Sequence, residues 1–222
     1  MPKRALIEHR PWLLLAVTSA IAFYFLRDNQ AGGGFVLGEA FLIPLKGAGV
    51  AFLAIYALRR GHGAEGAILA AALALSSLGD MVLELDQAGG ALFFIASHLT
   101  ATALYLRNRR DHMPISQSLL GATLLIGVPA TSYLLSDRID VAIYGAALGL
   151  MAATAWMSRF PRYRVGIGAV LFVVSDWLIF SRMGSFDMGD LPGILIWPLY
   201  FAGQLMIATG VVQTLRGERV ET

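Results

Sequence analysis

The stretch GAILAAALALSSLGDMVLEL, residues 66–85, decides the fold. Apart from Ser76, Ser77, Asp80 and Glu84 it is apolar, and its twenty residues match the length an α-helix needs to cross a hydrocarbon core of about 30 Å. A backbone in lipid finds no water to bond, so a spanning segment of this kind must satisfy its own N–H and C=O groups as a helix. Working outward, similar runs predict helices over about 12–27, 36–58, 90–106, 117–135, 140–157, 165–181 and 193–215. The expected fold is all-α: a polytopic membrane bundle of about eight transmembrane helices, forming a single transmembrane domain over residues 1–222.

Composition agrees with this reading. Hydrophobic residues make up 57% of the chain and charged residues 14%, whereas a soluble domain carries about 25% charged residues. The net charge is only +2, and the arginines fall in short polar intervals between apolar runs, so nucleic acid is not an expected partner. With no cysteine, disulfides, thiol nucleophiles and thiolate metal sites are excluded.

The basic residues also give an orientation. If the N-terminus is cytoplasmic, the cytoplasmic intervals hold Lys3, Arg4, Arg10, Arg59, Arg60, Arg107, Arg109, Arg110, Arg159, Arg162, Arg164, Arg216 and Arg219, and the opposite side holds Arg27, Arg138 and Arg182. This 13-to-3 bias predicts both ends inside, in the inner or plasma membrane of a bacterium. The external connections carry Asp86, Asp137, Asp140, Asp187 and Asp190, with Gly32 to Gly34 and Gly89 to Gly90 as turn material. The first run competes with a cleaved signal peptide, given Ala20 and Ala22. An uncleaved helix is the preferred reading, because the apolar run continues through Phe23 to Leu26. The likeness of Gly79-Asp80-Met81-Val82-Leu83 to Ser175-Asp176-Trp177-Leu178-Ile179 leaves a parallel four-plus-four repeat open.

Six ionisable residues remain inside apolar runs: Glu39, Lys46, Asp80, Glu84, His98 and Asp176. A charged side chain at mid-membrane costs about 2.5 to 3.5 kcal/mol on insertion scales, so such residues face a protein interior or a wet cavity and are functional by default. Asp80 and Asp176 fall at matched depth, about two thirds of the way toward the outer face, with Lys46, His98 and Gln204 nearer the midplane. Together these depths suggest one cavity. Residues three, four or seven apart share a helix face, which groups Ser76, Ser77, Asp80 and Glu84, then Glu39 and Lys46 with Pro44 between them, then Tyr200 and Gln204, then His98 and Thr102. Four acids share this depth with one lysine, so at least one aspartate is expected to be protonated near neutral pH. The plainer readings are helix-bridging hydrogen bonds for the aspartates, Tyr200 and Gln204, and a role for Lys46 as counter-charge to an aspartate. No metal is expected, because His-x-x-x-His and Glu-x-x-His spacings are absent, and no cofactor is called for.

At these residues the chain resembles the YhhN-like lysoplasmalogenase family of eight-helix membrane proteins. The resemblance rests on Pro44, Leu45 and Lys46, Ser77-Leu78-Gly79-Asp80, Ser97-His98-Leu99, Ser175-Asp176-Trp177-Leu178 and Tyr200-Phe201-Ala202-Gly203-Gln204, in family order over most of the chain. It implies a lysophospholipid substrate whose vinyl ether bond is hydrolysed to a fatty aldehyde and a glycerophospho head group. In that chemistry one of Asp80 and Asp176 would serve as acid and the other as base. Lys46, Ser77, Glu84, His98, Ser175, Tyr200 and Gln204 would contact the substrate. Two rival classes share membrane-embedded acids: an intramembrane aspartyl protease, whose Tyr-Asp motif is missing, and a proton-coupled lipid transporter or lipid-binding membrane protein.

Overall fold

The computed structural model describes residues 10–28 and 39–217. Gly32 to Gly34, expected as turn material, lie outside them. The described residues form eight α-helices: α1 (Arg10–Asp28), α2 (Glu39–Arg60), α3 (Gly63–Val82), α4 (Gln87–Arg107), α5 (Ile115–Ser136), α6 (Ile139–Met157), α7 (Ile167–Ser181) and α8 (Leu191–Gly217). A π-helical turn, Arg162–Gly166, leads into α7. Seven segments are long and apolar enough to cross a membrane, while the apolar stretch of α1, Pro11–Arg27, is shorter.

The connection between the third and fourth helices falls three residues earlier than the hydropathy reading. The third helix was expected to run to residue 85, but it ends at Val82. Its last amides tighten to three-residue bonds, Glu84 to the Met81 carbonyl at 3.3 Å and Leu85 to that of Val82 at 2.9 Å. Asp86 then caps the next helix, because its Oδ2 accepts the amide of Gly89 at 2.8 Å and satisfies one of the donors a helix start leaves open. Gly89 and Gly90 therefore sit in the first turn of α4 and are not turn material. A Cβ on Gly90 would fall 2.6 Å from the Leu83 Cα, so the tight return of the chain excludes a side chain there.

The chain divides into two compact units, Met1–Ser97 and His98–Thr222. In the first, Ala16, Ala20 and Phe23 recur at helical spacing and form the buried seam of α1, which packs on α2. Helices α2 and α3 approach closely at Gly47, where a Cβ would meet Met81 Cγ at 2.7 Å. In the second unit, Gly145 and Gly149 give α6 its close approach to α5, and Gly168 and Gly203 do the same for α7 and α8. A Cβ on Gly203 would lie 2.6 Å from the Gly168 carbonyl oxygen. Small residues at such seams are the membrane solution to helix packing, because lipid provides no hydrophobic drive between helices.

Asp137 ends α5 in the left-handed region, with φ 53°, and its amide returns 2.7 Å to the Tyr133 carbonyl, which makes the α5–α6 connection a two-residue turn. Large apolar side chains such as Leu14, Phe25, Leu119, Ile126, Leu134 and Ile143 are exposed, as lipid-facing positions require. Several embedded hydroxyls bond within their own helix: Ser132 to the Val128 carbonyl at 2.7 Å, Ser136 to Ser132 at 2.7 Å, Thr154 to Leu150 at 2.7 Å and Thr209 to Leu205 at 2.6 Å.

Candidate active site

Two polar constellations stand apart from these self-satisfied hydroxyls, one in each unit. In the first, Asp80 on α3 is 2% exposed, and Ser76 and Ser77 lie one turn before it. The Ser77 hydroxyl donates to the Gly47 carbonyl of α2 at 2.8 Å. Ser97 of α4 donates to the Ala72 carbonyl at 2.8 Å, which commits its one hydroxyl hydrogen. The 2.8 Å contact between Ser76 and Ser97 therefore has Ser76 as its donor. These bonds fasten α3 to both neighbours at the level of Asp80. A Cβ on Gly79 would come within 2.9 Å of the Phe94 ring, so the glycine before Asp80 closes the same seam.

Lys46 follows Pro44 within α2, and the proline removes one amide and frees a carbonyl a turn earlier. The reading of Lys46 as counter-charge to an aspartate is corrected: its ammonium pairs with Glu84, just beyond the end of α3. The lysine side chain is 13% exposed and the glutamate 46%, so the pair sits at the edge of its unit with the acid reaching outward. Glu39 opens α2, but its side chain is outside the described residues.

The second constellation centres on Asp176 of α7, 5% exposed. Tyr144 on α6 donates its phenol hydrogen to Asp176 Oδ2 at 2.8 Å, and His98 Nε2 on α4 lies 3.2 Å from the same phenol oxygen. A phenol has a single hydrogen, so with that hydrogen on the carboxylate the histidine completes the chain as donor through Nε2–H. Ser175 donates to the Phe172 carbonyl at 2.7 Å, which leaves only a 3.4 Å contact to Asp176 Oδ1. Of the two carboxylate oxygens, Oδ2 is therefore the anchored one.

Aromatic edges enclose this chain. The His98 ring meets Phe172 edge-on at 5.0 Å and Tyr144 at 5.6 Å, Tyr144 meets Phe180 at 5.7 Å, and Phe172 meets Tyr200 at 5.0 Å. Tyr200 thus stands one ring away from His98, and Gln204, one turn further along α8, is buried at 4% exposure. Edge-to-face pairs favour such ring orientations by about 0.5 to 1.5 kcal/mol each, so these rings support the placement of His98 and Tyr144 beside Asp176. Tyr144 was not among the residues expected from the sequence. Its only signal there was a phenol inside the apolar run Ile139–Met157. Among the described residues no cluster of three His, Cys, Asp or Glu side chains is arranged to hold a metal ion.

Comparison with known proteins places these residues in context. The chain is 29% identical over 194 residues to proteins named lysoplasmalogenase from Mycobacterium bovis and Mycobacterium tuberculosis, covering 80% of this chain and 73% of each relative. No solved structure matches. A family profile matches residues 41–211, a span that contains Lys46, Asp80, His98, Tyr144, Asp176 and Gln204. The chain is an integral multi-pass membrane protein, and it belongs to the YhhN family.

Proposed function

We propose that this protein hydrolyses the vinyl ether bond of lysoplasmalogens, releasing a fatty aldehyde and a glycerophospho head group. The observation that carries the reading is the buried carboxyl of Asp176, held through one oxygen by Tyr144 and backed by His98. The names of the mycobacterial relatives support the substrate class.

Vinyl ether cleavage starts with a proton delivered to the outer alkenyl carbon, which converts the ether oxygen and its neighbouring carbon into an oxocarbenium ion. Water adds to that carbon and loses a proton, and the resulting hemiacetal collapses to aldehyde and alcohol. One proton is taken up and one returned, so the reaction consumes only water. It needs one carboxylic acid and one carboxylate that stabilises positive charge and activates water. In this proposal Asp80 and Asp176 divide those roles. Tyr144 orients the Asp176 carboxyl through Oδ2 and leaves Oδ1 to exchange the proton.

Lys46 supplies a point charge for the lipid phosphate, and its pairing with the outward-reaching Glu84 is exchanged when substrate arrives. Tyr200 and Gln204, both buried on α8, supply a phenol and an amide to orient the ether oxygen or the attacking water. In this proposal both chain ends face the cytoplasm, a reading that the arginine bias supports.

The test is a panel of alkenyl, alkyl and acyl lysolipids incubated with purified protein, with products read by mass spectrometry. Aldehyde from the alkenyl lipid alone is the expected result, abolished by Asp80→Asn and by Asp176→Asn in protein that still folds. Full activity in both variants, or cleavage confined to the acyl lipid, would overturn it.

A further inference from the structure

At the end of the second unit where α4 and α6 finish, two arginine-bearing connections are tied together by their backbones. Arg109 and Ser158 form an antiparallel bridge, the Arg159 amide donates to the Asn108 carbonyl at 2.8 Å, and the Arg110 amide donates to the Met157 carbonyl at 3.3 Å. Side chains reinforce the tie. Arg159 Nε donates to Asn108 Oδ1 at 2.8 Å, while Asn108 Nδ2 donates to the Leu104 carbonyl at 2.9 Å. The positive-inside bias accounts for arginines at this face, but not for fixing two arginine-bearing segments against each other.

The guanidiniums are not equivalent. Arg164 is engaged by Gln213. Arg110 reaches the Phe160 carbonyl only at 3.4 Å, near the outer limit of a hydrogen bond. Arg162 has both Nε and Nη2 turned away from solvent with no hydrogen-bond partner among the described residues. Those two nitrogens form the side-on edge of a guanidinium, whose parallel N–H bonds match two oxygens of a carboxylate or phosphate. Beside it, burial and the Arg162 charge together push the Arg110 guanidinium below its usual value. Asp111, the one acid in the α4–α5 connection, is exposed and forms no ion pair with them among the described residues. Two adjacent cations and an unfilled bidentate edge are costly unless an anion occupies the place between them.

We propose that Arg110 and Arg162 form a binding site for the phosphate of an anionic lipid head group, separate from the Asp176 constellation. A lipid is the source because the site lies at span ends: α4 closes at Arg107, and the apolar segment that contains α7 opens at Arg162 itself. That is the depth of a head-group phosphate. The weak Arg110 bond to Phe160 is the one given up when the phosphate arrives.

The experiment is native mass spectrometry of the full-length protein in detergent, with phosphatidylglycerol and phosphatidylcholine as probes. Wild-type protein is expected to retain phosphatidylglycerol preferentially. R110Q and R162K are each expected to weaken retention on the order of tenfold, the worth of one charge-assisted hydrogen bond, whereas R59Q, at an exposed arginine of the first unit, leaves it unchanged. R162K keeps the charge and loses only the paired edge, and R110Q alters a side chain near the surface, so either suffices if the other fails to fold. Retention equal in wild type, R110Q and R162K overturns the proposal, as does an equal loss in R59Q. Thermal stabilisation by inorganic phosphate with no retained lipid overturns the lipid as the source.

Discussion

The phenol of Tyr144 stands 2.8 Å from Oδ2 of Asp176, on a helix that contributes no acidic residue to the buried core of its unit. Removing the hydroxyl while keeping the ring tests whether this bond matters to chemistry or only to packing. Y144F preserves the edge contacts to His98 and Phe180, so its stability should stay close to wild type. Its rate of aldehyde release should fall by roughly ten- to a hundredfold, the range for a hydrogen bond to a charged group. Unchanged turnover would remove Tyr144 from the mechanism.

The Lys46–Glu84 pair makes a different prediction. Because Glu84 is half in solvent, breaking the pair with E84Q should cost less than about 1 kcal/mol of stability. K46M should raise KM severalfold and leave kcat nearly unchanged, the signature of binding that is uniform between ground and transition states. A matched fall in kcat would instead give the lysine a role in the chemical step.

Helix packing can be tested without reference to activity. G203A places a methyl 2.6 Å from the Gly168 carbonyl and should destabilise by about 1 to 3 kcal/mol through overpacking. G217A, where a Cβ meets nothing within 4 Å, should leave the melting temperature where it was. If the two variants melt together, the α7–α8 seam is looser than described.

Orientation is open to direct test because the chain has no cysteine. A single cysteine at position 109 should react with a membrane-impermeant maleimide only after the cytoplasmic side is opened, and one at position 187 should react in intact cells. The reverse pattern would invert the arginine assignment.

Hydropathy made all eight helices legible, because the cost of unpaired backbone in lipid leaves few alternatives to a long apolar helix. It misplaced the α3–α4 boundary, where a cap at Asp86 decided the outcome within a continuous apolar stretch. An aspartate three residues ahead of Gly89 was the available signal. Asp80 and Asp176 were visible as ionisable residues where water is absent, and both are buried. Tyr144 was not, since a tyrosine in an apolar helix is compatible with packing, lipid-interface and bonding roles alike. Its partners, His98 and Asp176, come from two other helices, so no spacing along the sequence could link them. Lys46 was legible as an embedded cation, but its choice of Glu84 depended on where α3 stopped.

The hydroxyls of Thr154 and Thr209, which bond only to carbonyls of their own helices, bear on how such a protein can diverge. A side chain that serves its own backbone places no demand on the helix beside it, so alanine or valine can replace it without a compensating change elsewhere. Ser76, Ser77 and Ser97 have no such freedom, because each bond crosses to a neighbour and ties the fate of two positions together. Among relatives as distant as those matched here, the first group should wander between polar and apolar residues, while the second should change in pairs or not at all.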